Sequence, residues 1–155
     1  MKPNSRPLPN RATRPLSLRV RSTLFLLPAW FSPTSSLRVA FHRARGVRIS
    51  HDVEIGYFVL IDNLYPELVT IEAGATVSAM SAILAHDEAK AYALGETQEV
   101  RPVVIGAGAF VGVQSVILPG VTVGANAIIG AGSVVTSSVP PDVIVAGVPA
   151  RLAAR

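Results

Sequence analysis

An aliphatic side chain recurs at every sixth position through the second half of the chain, at Ile105, Val111, Ile117, Val123, Ile129 and Val135. Glycine directly follows four of them (Gly106, Gly112, Gly124, Gly130), and the fourth residue after each is small or a valine: Ala109, Ser115, Val121, Ala127, Ser133 and Val139. A period of six matches neither the helical repeat of about 3.6 residues nor the simple alternation of a free strand. It suits a parallel β-helix whose short strands are joined by tight corners. Each hexad then makes one flat side of a coil. Aliphatics fill a narrow interior, small residues occupy the crowded corners, and stacked coils satisfy one another's backbone groups. The same register reads backward through Ile71, Val77 and Ile83, with Ala75 and Ser81 in the small positions. A further set, Ile49, Ile55 and Ile61 with Val53 and Val59 inside, lies four residues out of phase, so something interrupts the coil near Asn63 to Thr70.

The run from Val103 to Arg151, VVIGAGAFVGVQSVILPGVTVGANAIIGAGSVVTSSVPPDVIVAGVPAR, resembles the C-terminal half of the hexapeptide-repeat acyltransferases. It is most similar to the sugar O-acetyltransferase branch that holds the maltose and galactoside acetyltransferases, and the likeness extends over Gly46 to Arg151. The resemblance implies an all-β left-handed parallel β-helix of about four coils, with a short C-terminal cap over Pro140 to Arg155. It also implies a cytoplasmic homotrimer that uses acetyl-CoA as cosubstrate, needs no metal, and acetylates a sugar or glycan hydroxyl. A narrow prism with broad apolar and glycine-rich faces is itself a reason to expect a closed cyclic trimer with its active sites between subunits.

Composition bounds the alternatives. A chain of 155 residues, half of them hydrophobic, is one domain with ample core. Its lack of cysteine excludes a disulfide framework, a thiolate zinc site and a cysteine nucleophile. The net charge of +4 conceals a division: residues 1–51 hold Lys2 and nine arginines with no acid, whereas the remainder holds four basic and ten acidic residues. The basic balance therefore belongs to an arm, residues 1–45, and the β-helix over 46–155 is acidic. Pro3, Pro7, Pro9 and Pro15 among arginines predict an extended or disordered start. The apolar run Leu24 to Phe31 is too short to cross a bilayer and contains Pro28. The arm reads as a solvated basic extension with one short helix around Ser36 to Arg45, able to make weak contact with an anionic membrane surface and not directed at nucleic acid.

Chemistry is expected at the second break in the repeat. Ile83 and Ile105 are separated by 22 positions, which is not a multiple of six, and AHDEAKAYALGETQEVRP has no inward aliphatics. The segment must leave the coil as an external loop over 85–103, and long excursions from a regular scaffold are more often functional than accidental. His86 stands where the loop departs. In the acetyltransferases that the chain resembles, the catalytic histidine sits at this point, before a loop that returns through a basic residue and proline, here Arg101 and Pro102, to the next hexad at Ile105-Gly106. An imidazole titrates near working pH and can take the proton of an attacking hydroxyl, which the direct transfer of an acetyl group from a thioester requires.

The resemblance places a backbone N–H near Gly112 or Val113 at the developing oxyanion. It places Phe110, Ala131, Thr136, Ser137 and Arg151 along the coenzyme, where Arg151 and Arg155 would neutralise phosphate. Phe110 stands where many members have tryptophan, and Ser137 where a lysine commonly follows the threonine. Asp62 matches an aspartate that contacts the acceptor sugar, and Asp87, beside His86, is a second substrate candidate. Two histidines remain. His42 reads as a solvated polar residue of the arm helix and His51 as a corner residue, and no closely spaced histidine pair exists for a catalytic metal. An amine acceptor would suit the same base and scaffold, and a non-catalytic assembly protein is the third reading.

Overall fold

The computed structural model of the protein describes residues 16–153. The hexads fold as a three-sided coil of parallel strands. Its first turn is β1 (Arg48–Ile49), β2 (Glu54–Ile55) and β3 (Leu60–Ile61), and its second is β4 (Val69–Ile71), β5 (Thr76–Val77) and β6 (Ala82–Ile83). An excursion follows, made of β7 (His86–Asp87), α4 (Ala89–Leu94) and β8 (Glu99–Val100). The third turn is β9 (Val103–Ile105), β10 (Phe110–Val111) and β11 (Val116–Ile117), and the fourth is β12 (Thr122–Val123), β13 (Ile128–Ile129) and β14 (Val134–Val135). Strands of successive turns stack into three parallel ladders: β1-β4-β9-β12 on the first side, β2-β5-β10-β13-β15 on the second and β3-β6-β11-β14 on the third. The second ladder is extended by β15 (Ile144–Ala146) and closed by the antiparallel β16 (Arg151–Leu152).

Register explains the phase shifts. Paired residues lie 18 apart between the last two turns, as in Phe110 with Ile128. They lie 22 apart between the first two, as in Glu54 with Thr76, and 34 apart across the excursion, as in Thr76 with Phe110. The first break therefore inserts four residues and the second sixteen, and neither disturbs the ladders. Ile105, Val111, Ile117, Val123, Ile129 and Val135 are all buried, as are Ala109, Ser115, Val121, Ala127, Ser133 and Val139 at the corners. At the Gly112 corner nothing larger fits: a Cβ there would sit 2.6 Å from the Ala131 nitrogen on the next turn.

The arm differs from expectation. Three helices stand where one was expected: α1 (Leu16–Leu24), α2 (Leu26–Phe31) and α3 (Ser35–Arg45), the last opened by Thr34, whose side chain accepts from Leu37 N–H, and ended by Gly46 at φ +110°. The extended start proposed for the first dozen residues, and Arg155, lie outside the described residues. In a parallel ladder the N–H and C=O of one residue point to the same neighbouring strand and those of the next residue to the other, so every second residue of an edge strand is left unpaired. Glu54 N–H donates to Ala75 on the second turn, which points the backbone N–H and C=O of Ile55 away from that turn. The Ile55 N–H then donates to Ser35 Oγ at 2.9 Å, and its carbonyl accepts from Arg38 Nε at 2.7 Å. On the other two sides Arg43 Nε donates to the Ile49 carbonyl and Arg45 Nη2 to the Ile61 carbonyl. Trp30 Nε1 caps the Val59 carbonyl. One arginine of α3 thus closes each side of the open prism.

Arg38, Val39, His42 and Arg45 recur at helical spacing and form the buried face of α3. His42 is accordingly not solvated: it is fully buried, and Nδ1 lies 3.0 Å from Arg45 Nη1. Burial, with the Arg45 charge second, pushes its pKa down to about 3. Arg38 also lies over the Tyr57 ring at 4.1 Å. Replacing Arg38 with Met would strand the Ile55 and Ser32 carbonyls and is expected to destabilise the fold by about 1–3 kcal/mol in chemical denaturation. The exposed Arg48→Met is the control and should move stability by no more than about 0.5 kcal/mol. Equal effects would refute the cap.

A second expectation concerns acid. An unfolded histidine takes a proton near pH 6.5, whereas folded His42 refuses one until about pH 3. Its contribution is therefore complete above 6.5 and declines as pH falls toward 3, by at most about 1.4 kcal/mol per pH unit. Denaturation curves between neutral and mildly acidic pH should show this slope, and His42→Phe should flatten it; an unchanged slope would refute the assignment.

Candidate active site

The two breaks in the repeat meet at one corner of the prism. Asp62 ends the third-side strand of the first turn and His86 leaves the corresponding strand of the second, since Ile61 pairs with Ile83. The four inserted residues curl over Asp62, and a single 3-10 turn at Pro66–Leu68 returns the chain to the coil. Asp62 Oδ1 accepts from the N–H groups of Leu64 and Tyr65, both at 2.8 Å. Oδ2 accepts from the Ala85 N–H at 2.7 Å and lies 2.6 Å from His86 Nδ1. The carboxylate has no exposed surface, while the imidazole keeps 18% of its own. Four donors on a sequestered carboxylate hold it rigidly.

The consequence for His86 is a fixed tautomer. With Nδ1–H donated to Asp62, the lone pair of the neutral ring resides on Nε2, which makes no hydrogen bond to another described residue. The fully buried Tyr65 ring supports the imidazole edge-on, with centroids 5.7 Å apart. Its hydroxyl donates to Gln98 Oε1 at 3.4 Å, and Gln98 Nε2 donates to Glu88 at 3.0 Å, so the outer loop is tied to the ring beneath the histidine. At the loop's return Arg101 pairs with Glu99 and lies over Gly120, where a Cβ would meet its Nε at 2.8 Å.

The two expected substrate contacts differ in their surroundings. Asp62 has no face left for a sugar; it sits behind the imidazole and orients it. Asp87 Oδ1 accepts from the Ala89 N–H at 2.8 Å and thereby starts α4. The oxyanion candidates also separate. The Gly112 N–H is spent on the Ile129 carbonyl at 2.8 Å, whereas the Val113 N–H makes no hydrogen bond to another described residue. Sequence reasoning missed Gln98, and it offered Tyr65 only as stacking surface or packing, not as the support of the imidazole.

The remaining candidates fall on two edges. The edge where the third side turns into the first carries His86, then Gly120, then Thr136 and Ser137. Those last two line an open cleft of about 480 Å³ together with Arg151. The edge where the second side turns into the third carries Val113 and Ala131, with the half-exposed Phe110 beside it on β10. Gly132 N–H donates to the Val113 carbonyl, which stacks these two corners. Within one chain a full side of the prism separates Val113 from His86. Among the described residues no group of three or more His, Cys, Asp or Glu side chains could hold a metal ion. No described helix is long and apolar enough to cross a membrane.

Residues 102–137 match the family model of the bacterial transferase hexapeptide (six repeats). No curated protein sequence matches the chain. Among solved structures, a hexapeptide-repeat acetyltransferase of Vibrio cholerae O1 biovar eltor, complexed with acetyl coenzyme A, superposes with a TM-score of 0.65 at 22% identity, over 88% of this chain and 85% of that one. A maltose O-acetyltransferase of Clostridium difficile 630 gives 0.63 at 19% identity, over 88% and 85%. A galactoside acetyltransferase in complex with coenzyme A gives 0.63 at 23% identity, over 89% and 80%. Residues 102–137 are therefore bacterial transferase hexapeptide repeats, and the chain shares the fold of the hexapeptide-repeat acetyltransferases.

Proposed function

We propose that the protein is an acetyl-CoA-dependent O-acetyltransferase for a sugar or glycan hydroxyl, with His86 as general base. The observation that carries this reading is the Asp62–His86 pair, which leaves an oriented imidazole nitrogen at the root of the excursion. The acceptor hydroxyl gives its proton to Nε2 as its oxygen attacks the thioester carbonyl. The carbon–sulfur bond then breaks, and the imidazolium returns the proton to the departing thiolate. Asp62 stabilises the imidazolium that forms between these events. The Val113 N–H, unspent in the ladder, is the donor proposed for the oxyanion. Phe110 and Ala131 are proposed along the pantetheine path, and the cleft of Thr136, Ser137 and Arg151 at the nucleotide end.

Assembly is part of the proposal. Phe110, Ile128 and Ile144 form an outward apolar row down the second side, and Tyr57, Phe58, Met80 and Val113 continue it on the adjoining edge; each is at least 37% exposed. Covering that row with the His86 edge of another copy would bring Val113 of one subunit toward His86 of the next. The left-handed sense of the coil that the resemblance implies suits such a ring. A homotrimer is the expected species at micromolar concentration by light scattering; a monomer mass would overturn both the trimer and the shared site.

Replacing His86 with Ala should lower turnover about 10²–10⁴-fold while leaving the fold and acetyl-CoA binding intact, because no interior aliphatic is lost. Arg151→Ala should instead weaken coenzyme binding, with saturated turnover nearer to normal. Thiol release from acetyl-CoA against a panel of sugars, amino sugars and serine identifies the acceptor class. If His86→Ala transfers acetyl groups at the parental rate, the assignment of the base fails.

A further inference from the structure

The guanidinium of Arg45 joins the helical arm to the catalytic corner through bonds made on both. It projects from the last turn of α3 and is 2% exposed. Nε donates to the Ser22 carbonyl of α1 at 3.0 Å, and Nη1 faces His42 Nδ1 at 3.0 Å. Nη2 donates to the Ile61 carbonyl at 2.9 Å and to the Asp62 carbonyl at 3.1 Å. Every one of these partners is formally neutral. A buried cation surrounded only by neutral acceptors is costly unless an opposite charge lies near. The Asp62 carboxylate, sealed from solvent beside the peptide that Arg45 grips, is that charge. The dependence is mutual: burial pulls the Arg45 guanidinium down to about 10, and the Asp62 charge opposes that fall.

We propose that Arg45 is a positioning residue for His86, holding the Ile61–Asp62 backbone and setting a buried positive charge beside the Asp62 carboxylate that meets His86 Nδ1. Position and charge act on the same bond. The carboxylate meets Nδ1 at 2.6 Å from a backbone that Arg45 holds at two successive carbonyls. Ser22 extends the connection outward, since its hydroxyl donates to the Asn63 carbonyl in the insertion that wraps Asp62. The arm is thereby part of the active site without touching substrate.

This proposal rests on the reading of His86 as the base, yet its test does not require a known acceptor. Proton NMR of the full chain should show a downfield, slowly exchanging imidazole N–H from the short His86–Asp62 hydrogen bond, assigned by its absence from His86→Asn. Arg45→Met should lose this resonance. Arg38→Met breaks a comparable arginine clamp on another side of the prism and should retain it. Arg45→Lys keeps the charge but cannot span all four acceptors, so it should fold and show the resonance displaced upfield. A parental resonance in both Arg45 variants, or equal loss in Arg38→Met, would overturn the proposal. If His86→Ala keeps full transferase activity, the catalytic reading falls while the Arg45 connection is still judged by the resonance alone.

Discussion

A stack of parallel coils has two open ends, and each open end presents backbone groups that no neighbouring turn can satisfy. At the first turn of this protein those groups are closed by side chains of α3, with Arg43, Arg38 and Arg45 on the Ile49, Ile55 and Ile61 carbonyls. An unpaired strand edge invites pairing with another chain, so the cap does more than satisfy hydrogen bonds. It fixes where the coil starts, keeps Ile49, Ile55 and Ile61 facing inward, and anchors the first of the two corners from which the candidate site is built.

That site arises from two interruptions that are far apart in sequence and adjacent in space. The four-residue insertion after Asp62 supplies the Leu64 and Tyr65 N–H groups that hold one carboxylate oxygen, and the sixteen-residue excursion supplies Ala85 and His86 to hold the other. Neither would suffice alone. A regular repeat spends most of its backbone donors on neighbouring turns, so few are left to converge on one buried carboxylate. Breaking the repeat frees donors, and the unbroken ladders on either side keep the freed groups in place.

The coil was legible in the sequence because its physics is periodic. The interior is so narrow that each sixth residue must be aliphatic and each corner small, and the two phase shifts announced both insertions. The arm was not legible, for a specific reason. Arg38, His42 and Arg45 occupy one face of α3, and by hydropathy such a face reads as solvated. They are buried because their donors meet carbonyls rather than water, and carbonyls at the end of a coil leave no mark in composition. Asp62 was found at the right position but with the wrong neighbour. The resemblance carried an aspartate at that position, whereas only the fold reveals that all of its oxygens are already occupied.

The distribution of candidate groups over two edges gives the row of exposed apolar residues a meaning. Phe110, Ile128 and Ile144 alternate with inward Val111, Ile129 and Val145, so the second side is apolar on both faces from the third turn onward, after Glu54 and Thr76 at the same outward position of the first two turns. A strand buried on one face alone would carry polar residues outside. The same edge that bears Val113 is apolar, while the edge that bears His86 is polar and carries the excursion. Two unlike edges that each hold part of the proposed site suit a head-to-tail ring, in which every copy presents a different edge to each neighbour. A two-fold pair would instead bring like edges together, setting His86 opposite His86 and keeping the Val113 amide of each copy a full side of the prism away from the proposed base.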